Sequence, residues 1–195
     1  MKASFSPRAA LARADEILAQ PCAGTLPRVE GVGILVARFV FTLELCSPEN
    51  RHSHGRNWAH AARKDKLWAM MRAQHPKVRP VALSGRPMVR QIRFSSVEAD
   101  VPGEGFKTAI DFLCIPKPPK KPGGRFKRGL GFLVDDAPKY VERVSWWERA
   151  PRGAGFALLE VYTGASVHGS TANSVTINPS PNSLPESTGG GRLEY

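Results

Sequence analysis

"GLGFLVDDAPKYVERVSWWE", residues 129–148, is the stretch on which the reading of this chain turns. An apolar run from Leu130 to Val134 stops at two adjacent carboxylates, Asp135 and Asp136, and Pro138 follows. From Tyr140 to Glu148 the chain alternates on its way through Trp146 and Trp147, which is the period of a strand. Taken alone, "DDAP" makes a turn or caps a helix. A carboxylate pair at the end of a core element also offers hard oxygen donors to a divalent cation. These residues by themselves leave both readings open.

Immediately upstream lies "IPKPPKKPGGRFKRG", with four prolines, and from Lys117 to Arg128 six Lys or Arg and no acid. This composition predicts an extended, mobile basic loop over 115–129. Before it, Phe106, Ala109, Ile110 and Leu113 fall at helical spacing, so Gly103–Leu113 reads as a helix with one buried stripe. Met88–Val97 reads as a strand, with Met88, Ile92 and Phe94 on one parity. Asn57–Gln74 reads as a helix that Pro76 ends, and Val32–Leu45 as the first strand, buried on one face and partly wet on the other. Downstream of the quoted stretch, Phe156–Tyr162 closes the core. Pro7–Gln20 reads as a short Ala-rich helix, either an accessory element or a poorly docked arm.

The order strand, helix, strand, helix, strand, strand predicts an α+β domain: a mixed sheet of about four strands packed with two main helices. The expected division is an N-terminal extension over 1–30, a core domain over 31–164, and a disordered tail over 165–195, where Ser, Thr, Asn, Pro and Gly dominate.

Charge narrows the partner class. The 195 residues carry 28 Lys and Arg against 17 Asp and Glu, a formal net charge of +11. Such a surface attracts polyanions by screened Coulomb forces and counterion release. No apolar run is long enough to span a membrane, no basic amphipathic anchor stands out, and the N-terminus lacks the apolar core of a secretory signal. Nucleic acid is the leading partner, and the cytoplasm the expected location. Cys22, Cys46 and Cys114 are odd in number and widely spaced, which fits reduced thiols.

A second acidic cluster, "EAD", ends the strand that runs to Val97. Glu98 and Asp100 are two residues apart and point the same way in extended chain. Glu98, Asp100, Asp135 and Asp136 together could hold Mg²⁺ for phosphodiester hydrolysis, and "EAD" could equally be a solvated strand exit. Lys107 could act on a phosphate, or merely pair with Asp111 or Glu104 on its helix face. One of the two tryptophans is core; the other is core, a dimer contact or a base-stacking surface.

The order of these features is similar to that of the RusA-type Holliday-junction resolvases. The resemblance rests on "GLGFLVDDAPKYVERVSWWE", with "GFKTAIDFL" upstream and "GFALLEVYTG" downstream, and spans roughly Val32 to Gly164. It implies a homodimer, often encoded by phages or prophages, that cuts four-way DNA junctions with Mg²⁺, Mn²⁺ serving as a substitute. It assigns the D-D block to Asp135 and Asp136, the D-x-D positions to Glu98 and Asp100, and the assisting lysine to Lys107. Catalysis then rests on Lys107, Asp136 and Asp100. Lys117, Lys120, Lys121, Arg125, Lys127 and Arg128 are the expected contacts to the DNA backbone. The chain departs from the family pattern at "EADV", with Glu98 for an aspartate and Val101 for an asparagine, and its basic loop is longer. A non-catalytic DNA- or RNA-binding protein of the same fold is the alternative expectation.

Overall fold

The computed structural model describes residues 5–21, 28, 30, 33–46, 57–98, 103, 105–119, 122 and 126–164. Along the chain these form α1 (Pro7–Ala19), β1 (Leu35–Thr42), a 3₁₀ turn (Leu43–Cys46), α2 (Asn57–Gln74), β2 (Met88–Ser95), α3 (Lys107–Leu113), β3 (Glu142–Arg149) and β4 (Phe156–Tyr162). In α2, side chains are described from residue 61 onward.

All seven residues of β4 are buried, a pattern that needs cover on both faces and a partner on each edge. The sheet order β1-β4-β2-β3 supplies the partners. β4 runs antiparallel to β1 and to β2, while β2 and β3 are parallel. The expected α+β class with a mixed four-stranded sheet is therefore observed, with three α-helices among the described residues.

Phe39 and Phe41 of β1 and Leu159 and Val161 of β4 face one layer, formed with Leu67 and Met71 of α2, Ile110 of α3 and Phe132. Val40, Ile92, Phe94, Trp146 and Leu158 face the other. The sequence reading left this second face partly wet, yet Ala10 and Ala14 of α1 close over it. Two alanines at i, i+4 let a helix backbone approach a sheet closely. Ser6 caps that helix by accepting from the Ala9 N–H, and Pro7 occupies its first turn. Of the two readings left open for α1, the loose arm is excluded.

β1 is shorter than expected. Leu45 and Cys46 are consecutive and both buried, which a strand with alternating faces cannot provide, so the chain coils at Leu43. The outer edge of β1 is capped at Val40, whose N–H donates to Gln74 Oε1 (2.9 Å) and whose carbonyl accepts from Gln74 Nε2 (2.9 Å). A side chain thus replaces a fifth strand there and blocks edge pairing. No helix among the described residues is long and apolar enough to cross a membrane.

Parallel β2 and β3 require a crossover connection, and that connection carries α3, the basic loop and the Asp-Asp pair. Its return leg is tied down by backbone bonds. Leu130 N–H donates to Phe112 O (2.7 Å), Phe132 N–H to Leu113 O (2.8 Å), and Leu83 N–H to Phe132 O (2.9 Å). Gly131 sits among these at φ +80°, where an added Cβ would lie 2.2 Å from the Arg79 carbonyl oxygen. Gly131→Ala should therefore lose about 1–3 kcal/mol from the left-handed backbone alone. The backbone clash adds to that loss, and a urea unfolding curve would measure the total. A midpoint equal to wild type would show that the segment relaxes freely.

Candidate active site on the crossover connection

Lys107 is the first residue of α3, set by a turn through Gly105 at φ +90°. One helical turn on, Asp111 Oδ1 lies 2.8 Å from its ammonium. Asp136 Oδ2 lies 2.5 Å from the same nitrogen, delivered across 29 residues by the pinned return leg. Burial pulls the Lys107 pKa down, but its bonds to Asp111 and Asp136 outweigh this and leave it raised. Lys107 is thus a cation shared by two carboxylates from different segments.

Asp135 turns to the other side. Its Oδ1 accepts from the Asp136 N–H (2.8 Å), and its Oδ2 pairs with Lys117. The Lys117 bond, with those from Asp136, pushes the Asp135 carboxyl down to about 2. The Asp135–Lys117 ion pair therefore stays charged near neutral pH.

These carboxylates line a cleft of about 490 Å³. α2 forms its facing wall with Lys64 and Asp65, and Asp65 pairs with Arg128 across the opening. Cys114 also lines the cleft, but burial, with the nearby Asp136, Asp111 and Asp135, pushes its thiol up to about 12. It is no nucleophile near neutrality. Every described carboxylate of the cleft already has a basic partner from this chain.

The residues expected from sequence divide as follows. Lys107, Asp135 and Asp136 are brought together, and Lys117, Lys127 and Arg128 border the same cleft. Glu98 is not brought to them. It is exposed beyond the C-terminal end of β2, which lies beside Arg149, whereas Asp136 precedes the N-terminal end of β3 and neighbouring Pro138 accepts from Arg86. Most of a strand's length separates the two, on the order of 20 Å at about 3.3 Å per residue. Asp100, Lys120, Lys121 and Arg125 lie outside the described residues. The basic loop is not free at its base, where Lys127 N–H donates to Lys117 O (2.9 Å).

Asp111, Lys64 and Asp65 were missed as site residues. Asp111 carried a signal, its i, i+4 spacing from Lys107, but that spacing marks any helix ion pair. Trp146 and Trp147 are both core, 1% and 3% exposed, with their indole N–H groups donating to Glu148 and Ser95. Neither offers a stacking surface.

Donor chemistry suits a hard divalent cation, since Asp111, Asp135 and Asp136 present only oxygens. An ammonium already sits between Asp111 and Asp136, where positive charge is stabilised. Even so, among the described residues no group of three or more His, Cys, Asp or Glu side chains is placed to hold a metal as the side chains stand. No protein-family model, no curated protein and no solved structure matches the chain.

Proposed function

We propose that this chain is a Mg²⁺-dependent endodeoxyribonuclease of the RusA type, acting as a homodimer on four-way DNA junctions. The observation that carries the reading is the Lys107 ammonium shared by Asp111 and Asp136, two carboxylates of a cleft lined by four acidic and four basic side chains. Asp136 and Asp111 would hold the cation once the Lys107 ammonium moves off them, with Asp100 as the further donor that the resemblance implies. When bound, the ion activates water and offsets charge developing on the phosphodiester. Lys107 then donates to a non-bridging phosphate oxygen, while Lys117, Lys127 and Arg128 hold flanking phosphates. Two such sites in a symmetric dimer suit two symmetric nicks.

A second reading has its own support. Glu98 stands far from Asp136, and Lys107 and Lys117 occupy Asp111, Asp135 and Asp136, as expected of a nucleic-acid-binding protein that no longer cuts. End-labelled four-way junction, incubated with Mg²⁺, separates the two. The nuclease gives paired nicks near the branch point, none with EDTA and few on linear duplex. Absence of cleavage across Mg²⁺, Mn²⁺ and pH removes the catalytic reading. Salt-sensitive binding without cleavage selects the second.

A further inference from the structure

Phe126 is 69% exposed in the basic loop, at the residue before the Lys117–Lys127 bridge. A solitary exposed apolar side chain needs no explanation by itself. This one is distinguished by its position, because its ring lines the same cleft as Asp135 and Asp136. Lys127 and Arg128 follow it directly, and Lys64 stands on the facing wall. An aromatic face within one residue of phosphate-binding cations is the arrangement that grips unpaired nucleotides. The cations take the backbone and the ring takes the base, whatever its sequence. The cleft volume, about 490 Å³, lies in the range of pockets that take a small ligand.

We infer that Phe126 stacks on a DNA base left unstacked at the branch point and thereby confers preference for branched over linear DNA. The duplex keeps its bases stacked on one another and offers the ring no face, whereas a junction exposes bases at the exchange point. This rests on the proposed DNA-directed function but not on cleavage, so it is tested by binding alone, without divalent metal.

Fluorescence anisotropy would compare wild type with Phe126→Ala, Phe126→Leu and Phe126→Trp on a four-way junction, on the same junction with abasic branch-point nucleotides, and on linear duplex. Stacking of one base predicts that Phe126→Ala weakens junction binding roughly 5- to 100-fold. Duplex binding should stay within about twofold, since the phosphate contacts that supply it are untouched. Phe126→Leu should resemble alanine and Phe126→Trp should restore affinity. On the abasic junction, wild type and Phe126→Ala should bind alike. Equal junction binding by wild type and Phe126→Ala, or an equal loss on duplex, overturns the inference while leaving the nuclease reading intact. Failure of wild type to bind any DNA at low salt overturns both.

Discussion

Asp136→Asn is expected to lower Mg²⁺-dependent junction cleavage by roughly 10²-fold or more while leaving the protein folded. Removing even an outer partner of a metal ligand costs about 10- to 100-fold, and a direct oxygen donor costs at least that. Asparagine matches the shape of aspartate and can still accept from Lys107, but it lacks the charge that holds the cation and pairs with that ammonium. The fold should tolerate the change because the return leg is held by backbone bonds from Leu130 and Phe132, not by the carboxylate. The deficit should shrink as Mg²⁺ is raised if Asp136 acts chiefly by binding the ion. Asp111→Asn supplies a comparison, with the same direction and a smaller effect, since Lys107 keeps Asp136. Cleavage by Asp136→Asn at the wild-type rate would remove Asp136 from the chemistry.

The parts of this molecule that could be read in advance are those written in local periodicity. β2, β3 and β4 alternate or run apolar over strand length, α2 ends where a proline forbids continuation, and the mixed sheet follows from their order. What could not be read depends on which distant segment arrives. Asp111 and Lys107 look like any helix pair until Asp136 is carried to the same nitrogen by a segment 29 residues away. Glu98 is placed apart for the opposite reason. Its spacing from Asp100 matches a familiar pattern, but β2 runs parallel to β3, so its end exits at the far side of the sheet from the Asp-Asp pair. α1 was obscure because two alanines carry little hydrophobic signal; their value lies in close approach to the sheet. Lys64 and Asp65 sit on the polar side of α2, where sequence does not mark which residues overlook a cleft.

Glu160→Gln is expected to destabilise the fold by about 3–5 kcal/mol, the usual cost of removing one partner from a buried ionic group. Glu160 is 2% exposed at the centre of β4, directly opposite Arg38 of β1 on one side and Arg90 of β2 on the other. Arg38 Nε lies 3.0 Å from Glu160 Oε1, Arg90 Nε donates to Oε2 (2.7 Å), and the Tyr162 hydroxyl donates to the same oxygen (3.1 Å). Burial beside this carboxylate pushes the Tyr162 hydroxyl up to about 12, so tyrosine remains the donor throughout the stable range of pH. Arg38 continues the row to Asp15 of α1 (2.7 Å), so the helix over the second face is anchored to the same charge. Neutralising Glu160 leaves two guanidinium groups facing each other under α1 with no anion between them, and both the sheet and the docked helix should loosen. Chemical denaturation should show the loss, and hydrogen exchange should show α1 opening first. The charge itself is the cause only if removing all three charges is tolerated. A triple variant, Arg38→Met, Glu160→Leu and Arg90→Met, should recover most of the lost stability, because buried ion triads are replaceable by apolar groups of similar volume. If the triple variant is as unstable as Glu160→Gln, the row matters for its hydrogen-bond geometry and not for its charge balance.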